Sequence, residues 1–316
     1  MSHTERIPLV AVVGPTASGK TGLAVALAKA FDGEVLSFDS MQLYRGMDVA
    51  TAKPTPEEME GIPHHLISAV DPADTYSVAR FQEDASRIIA DITARGKHVI
   101  MVGGTGLYLD SFVQNLQFLD TGDTSKVRER LKRELEDAGP EAMYARLKAL
   151  DPDYAESIHP NNMGRVLRAL EIYETTGQTM SQQIAQSRRE PGNYDVCYIG
   201  LTARDRDILY ERINTRVDRM LENGLLEEAE RWLRDTPGAT ASQAIGIKEM
   251  LPYLRGEADL PSCVETLKTA TRHYAKRQLT WFRRNPEVHW LYLDEADGPE
   301  ALAEQAIQII EEEGIF

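Results

Sequence analysis

The chain has 316 residues, 42% of them hydrophobic, and a formal net charge of −15. It is long enough to bury a full core and to divide into about two domains, but too acidic to coat nucleic acid by bulk electrostatics, so any such contact needs a local basic patch. The apolar run Leu9–Val13 stops at a Gly-Pro break, too short for a signal-peptide core or a membrane span, and Cys197 and Cys263 lack the spacing of a zinc site or disulfide framework. A monomer in a reducing cytoplasm, away from membranes, is expected.

In chain order, Leu9–Val13 reads as a buried strand followed by the loop Gly14–Gly19, and Leu23, Leu27 and Phe31 then recur at helical spacing. Glu34–Phe38 predicts a second strand, ending at Asp39. Phe81, Ala85, Ile88 and Ile92 form one stripe of a helix that stops at Gly96, before the strand His98–Val102. This β-α-β alternation predicts a parallel sheet with helices on both faces. From about Gln114 to Pro191 the texture turns charged and helix-periodic, which predicts an all-helical insertion. Strand signal returns at Val196–Leu201 and Val288–Leu293, so 1–113 and 192–316 are expected to form one core interrupted by 114–191.

The stretch GPTASGKT comprises Gly14, Pro15, Thr16, Ala17, Ser18, Gly19, Lys20 and Thr21, and it lies between a strand and a helix. In that context backbone N–H groups and the helix N-terminus surround phosphate oxygens, Lys20 adds positive charge, and the Thr21 hydroxyl reaches Mg²⁺. The fold expected is α/β, P-loop NTPase-like. Yet the acid that an ATPase places at the end of a second apolar strand is missing, because His98–Val102 runs straight into GGTGLY, Gly103–Tyr108. The acid follows the other strand, as Asp39 in DSMQ. At the carboxyl end of a parallel strand Asp39 faces the ligand crevice and can take a proton from an incoming nucleophile; the same Asp-Ser pair also suits a helix N-cap. Gln42 carries an amide able to read an adenine edge, although most glutamines near turns are solvated.

GPTASGKT, SFDSMQLYRGMDVATAKP, PHHLI, GGTGLY, HPNNMGRVLRALE, QAIGIKE and TRHYAKRQLTWFRR together resemble the tRNA dimethylallyltransferase family across most of the chain. The resemblance implies a P-loop-like core that moves a dimethylallyl group from its diphosphate to N6 of the adenosine immediately 3′ of a tRNA anticodon. It implies Arg216 as a further cation on the leaving diphosphate, with Arg219 on the same helical stripe, and Thr105 as support for the geometry of Asp39 and the amine. Contacts to the tRNA anticodon stem-loop are implied at Asp39, Ser40, Met41, Gln42 and Thr105, and in the insertion at Arg128, Gly164, Arg165, Val166, Leu167 and Arg168. The chain departs from the family pattern at Ala50, Gly164 and Ile247. A base stacked in a folded loop must be extruded to reach a buried crevice.

Thr266–Pro286 holds no acid but carries Lys268, Arg272, Lys276, Arg277, Arg283 and Arg284, the local basic patch that the acidic chain requires. Arg272, Lys276 and Arg277 are the expected tRNA contacts; Tyr274 and Trp281 between them suit core packing. The adjacent His64 and His65 cannot share one face of a strand or helix, which favours a structural role over metal binding. Two other activities fit parts of the pattern: a small-molecule P-loop kinase using Asp39 to activate a hydroxyl, and a non-catalytic RNA-binding module with a relict phosphate loop.

Overall fold

The computed structural model describes residues 6–116, 122, 124–187, 192–234 and 241–316. The chain forms two compact units, one of 1–113 with 193–316 and one of 114–192. Pro191, where the sequence reading ends the insertion, lies outside the described residues.

The larger unit opens with β1 (Ile7–Val13), α1 (Lys20–Ala30), β2 (Gly33–Ser37), the single turn α2 (Pro56–Met59), the two-residue β3 (His64–His65), α3 (Val78–Ala94), β4 (His98–Val102) and α4 (Gly106–Val113). The smaller unit holds α5 (Ser125–Leu150), α6 (Pro152–Glu156), α7 (Met163–Thr176) and α8 (Met180–Ser187). The chain then returns with β5 (Tyr194–Thr202), α9 (Arg206–Glu222), α10 (Leu225–Arg234), α11 (Ile247–Leu254), α12 (Leu260–Phe282), β6 (Val288–Tyr292) and α13 (Pro299–Glu313). No helix among the described residues is long and apolar enough to cross a membrane.

All six strands are parallel, in the order β3-β2-β4-β1-β5-β6. The uninterrupted apolar run of β1 follows from burial on both faces: Leu9, Ala11 and Val13 join the core beneath α3, α4 and α12, while Val10 and Val12 join the core beneath α1 and α13. α3 begins where the Ser77 side chain accepts the Arg80 N–H, and it buries Phe81, Ala85, Ile89 and Ile92. The edge strand β3 carries no apolar run that a sequence reading could detect. His65 Nε2 lies 2.7 Å from Glu34 Oε2, and His64 Nδ1 lies 2.8 Å from the Ile62 carbonyl, so the adjacent histidines serve the sheet edge.

The smaller unit has its own core, built from Leu131, Met143, Leu147, Ala155, Ile158, Val166, Ala169 and Leu170. Its long helix α5 is broken at Gly139, where φ is 81° ahead of Pro140.

Candidate active site

Because β4 lies between β1 and β2, the loops leaving these three strands share one end of the sheet. That end carries the phosphate loop, Asp39 and Gly103–Thr105, the crevice position expected of an open parallel sheet. In the phosphate loop Gly14 takes φ 138° and packs so tightly on the Leu201 carbonyl that a Cβ would lie 2.3 Å from its oxygen. Lys20 Nζ donates to the Pro15 carbonyl at 2.6 Å. The Ser18 side chain is fully buried, and its hydroxyl has no hydrogen-bond partner.

Two arginines one turn apart on α9 close over this loop. Arg212 Nε donates to the Ala17 carbonyl at 2.8 Å, a contact that nothing in the sequence pattern singled out. Arg216 Nη2 donates to the Thr51 carbonyl at 3.4 Å, whereas its Nε is buried without a partner. An orphaned guanidinium N–H in a crevice is a donor waiting for an anion. Burial, reinforced by the charge of Arg216 and opposed by that of Asp39, brings the Lys20 ammonium down to about 7. Burial likewise lowers the Arg216 guanidinium, with Asp39 pulling the other way. Lys20, Arg216 and Asp39 therefore form one electrostatic group. Arg219 is exposed and joins none of these contacts.

Asp39 Oδ1 accepts the backbone N–H of Met41 at 2.9 Å and of Gln42 at 3.4 Å, so the N-cap reading holds for one carboxylate oxygen. Oδ2 has no hydrogen bond among the described residues and remains open for a proton. Thr105 Oγ1 accepts the Ser40 N–H at 3.0 Å and donates to Ser40 Oγ at 3.2 Å. Glu228, a buried carboxylate of α10, accepts the N–H groups of Asp48, Val49 and Ala50 at 2.8, 2.9 and 2.9 Å. It thereby anchors the segment whose Thr51 carbonyl meets Arg216.

The glycines of GGTG are explained by close packing. A Cβ on Gly104 would meet Gln278 Nε2 at 1.9 Å, and one on Gly106 would meet Trp281 Cδ1 at 2.2 Å, so α12 rests directly on this turn. Burial first, then the Asp39 charge, pushes the Tyr274 phenol well above the ordinary range. Tyr274 thus lies within electrostatic reach of Asp39.

Several expected RNA contacts are already engaged inside the protein. The Gln42 amide donates to the Thr51 and Ala52 carbonyls, each at 3.3 Å, and so buttresses the Asp39 turn. The Val166 side chain is wholly buried in the core of the smaller unit. Arg128 and Arg168 both pair with Glu171, itself only 1% exposed. Arg272 bonds Glu265 at 2.8 Å, Thr269 at 2.9 Å and Asn214 at 3.2 Å. Gly164, Arg165, Lys276 and Arg277 are exposed, and Ser40, Met41 and Leu167 are half-buried. Of the departures from the family pattern, Ala50 and Ile247 are buried, which makes them packing positions.

The oxygen donors at this end of the sheet suit Mg²⁺ arriving on a diphosphate. That ion takes oxygen ligands and is commonly held by one or two protein groups plus substrate phosphates and waters. Thr21 stands half-buried in the first turn of α1, directly after Lys20.

Fold and site together define a protein of the P-loop-like α/β class, with a carboxylate and two half-buried cations beside its phosphate loop. The family model described as IPP transferase matches residues 42–285. The chain belongs to that family, whose curated members are named tRNA dimethylallyltransferase. One from a Thermoanaerobacter species is 46% identical over 308 residues, covering 96% of this chain and 98% of the relative. Another from Bacillus cereus is 49% identical over 302 residues, covering 94% and 93%. Among solved structures, the tRNA isopentenylpyrophosphate transferase of Bacillus halodurans aligns with a TM-score of 0.71 at 43% identity, covering 97% of this chain and 98% of that one. A eukaryotic dimethylallyltransferase captured acting on tRNA aligns with a TM-score of 0.78 at 34% identity, covering 95% and 78%.

Proposed function

We propose that this chain transfers the dimethylallyl group of dimethylallyl diphosphate to N6 of the adenosine immediately 3′ of a tRNA anticodon, releasing diphosphate. The observation that carries the reading is the convergence of Lys20, Arg216 and Asp39: two half-buried cations beside a phosphate loop, and a carboxylate with one oxygen open. The loop N–H groups, Lys20 and Arg216 hold the diphosphate. As the allylic C–O bond breaks, the electron pair leaves on the diphosphate oxygen, where these charges stabilise it. Mg²⁺, bound with the diphosphate at Thr21, would supply further neutralisation of the leaving group. Adenine N6 is a poor nucleophile because its lone pair is delocalised into the ring. Asp39 Oδ2 therefore takes the N6 proton as the new C–N bond forms, while Thr105 holds the turn that carries Asp39. The adenosine is extruded from the anticodon loop to reach this crevice. Lys276 and Arg277, exposed on α12, meet the RNA backbone, and Arg165, exposed on α7 of the smaller unit, is suited to the same task.

The test is to incubate the protein with Mg²⁺, unmodified tRNA and either dimethylallyl diphosphate or ATP, then digest the RNA and weigh its nucleosides. One prenylated adenosine per tRNA is expected with dimethylallyl diphosphate, suppressed by Lys20→Ala or Thr21→Ala. ADP formed from ATP with unchanged nucleoside masses would establish a kinase instead. RNA binding with no product from either donor would leave a non-catalytic binding module.

A further inference from the structure

Gln278 lies on α12 and is only 5% exposed. Its Oε1 accepts the backbone N–H of Thr16 at 2.8 Å, in the phosphate loop. Its Nε2 donates to the Gly104 carbonyl at 3.1 Å, in the turn that carries Thr105. The partners dictate the amide orientation, since an N–H faces one end and a carbonyl the other. A residue larger than glycine at 104 would displace this amide, because a Cβ there would stand 1.9 Å from Nε2.

We infer that Gln278 is a positioning residue for the transfer reaction: its buried amide fixes the separation between the loop that holds the leaving group and the turn that orients Asp39. The inference rests on the prenyl-transfer reading above. The amide is a rigid planar group of fixed length, bonded at both ends, so the two loops cannot shift relative to each other without leaving a buried donor or acceptor unpaired. In-line transfer needs that rigidity, because a misplacement of about 1 Å between reacting groups can lower a rate by about 10²-fold. Gln278 touches neither the diphosphate nor the amine in this arrangement. It acts through Thr16 and through Gly104.

The experiment uses Gln278→Met, which keeps the volume and removes both hydrogen bonds. Expected is a fall of roughly 10- to 10²-fold in single-turnover prenyl transfer at saturating donor and tRNA. tRNA affinity and its salt dependence should stay within about twofold of wild type, because the backbone contacts are elsewhere. Gly104→Ala should lower the rate comparably in the wild-type background and much less when combined with Gln278→Ala, which makes room for the added methyl; that non-additivity marks the contact itself. If Gln278→Met fails to fold, Gln278→Glu supplies the same rate measurement, keeping an acceptor for Thr16 and losing the donor to Gly104. An unchanged transfer rate overturns the inference, as does a loss lying in tRNA affinity, which would make Gln278 an RNA contact. A wild-type protein that prenylates no adenosine would instead sink the reaction assignment.

Discussion

Thr105 accepts the backbone N–H of Ser40 at 3.0 Å, so the turn after β4 holds the turn after β2, although the two residues stand 65 apart in sequence. Asp39 is the residue immediately before that bond. Its Oδ1 is fixed by Met41 and Gln42 N–H groups, which leaves Oδ2 for proton transfer.

Asp39→Asn preserves the N-cap oxygen and removes the base. Single-turnover prenyl transfer should fall by about 10²-fold or more, with tRNA and donor affinities nearly unchanged. Thr105→Ala should lower the rate more than the affinity, and Thr105→Ser should recover most of the loss by restoring the hydroxyl. A near-normal rate for Asp39→Asn would remove the carboxylate from the mechanism.

Lys20 gives the site a pH dependence. Its ammonium titrates at about 7 in the folded protein, chiefly through burial and then the charge of Arg216, against a usual value of 10.5. A diphosphate binds the charged form better, so donor affinity should be greatest below about pH 7 and weaken as pH rises through it. Lys20→Met should abolish that component and leave only the titration of the diphosphate itself. The sign for stability is the reverse: between the folded and unfolded values the unfolded chain binds more protons, so the ligand-free protein gains stability as pH rises through that window. Thermal melts of Lys20→Met should show their largest gain over wild type below about pH 7 and none above about 10.5.

The basic helix α12 carries both exposed charges and a charge held within the protein. Lys276 and Arg277 are exposed, whereas Arg272 is held by Glu265, Thr269 and Asn214. Replacing Lys276 and Arg277 with Gln should weaken tRNA binding and flatten its salt dependence, because fewer counterions are released. Arg272→Gln should leave the slope unchanged. Equal slopes for all three would place the RNA elsewhere.

Within the smaller unit, Glu171 acts as a structural anchor. Burial raises its carboxyl, but bonds from Arg128 and Thr124 and the charge of Arg168 outweigh that and hold it below the usual range. Its contribution is present above the unfolded carboxylate range and is lost as pH falls through the folded value. The double change Arg128→Gln with Arg168→Gln strands a buried charge and should cost about 3–5 kcal/mol, read as a lowered melting temperature near neutral pH. The deficit should shrink in acid. Weaker tRNA binding at undiminished stability would make these arginines RNA contacts instead.

The phosphate loop was legible because its chemistry is contiguous: Gly14–Thr21 places every donor within one strand-to-helix turn. The strands were legible for a similar reason, since burial on both faces of a parallel sheet writes an unbroken apolar run such as Leu9–Val13. Asp39 could be read as a base because it ends such a strand. The two-residue β3 left no pattern, as an edge strand that short has no periodicity to detect.

Which charges are available was a tertiary matter. Arg128, Arg168 and Arg272 have side chains suited to RNA, yet folding brings a carboxylate beside each that engages part of its charge. Composition carries no record of such pairings. Thr16 and Gln278 lie 262 residues apart, and they meet only because the strand order sets β4 beside β1 and α12 packs onto the turn after β4. By itself the sequence determined the phosphate loop and the strand-end carboxylate, and the reaction class followed from the resemblance that its motifs carry to a known family. Folding decided which residues hold that chemistry in register, because a hydrogen bond depends on distances that separation along a chain does not set.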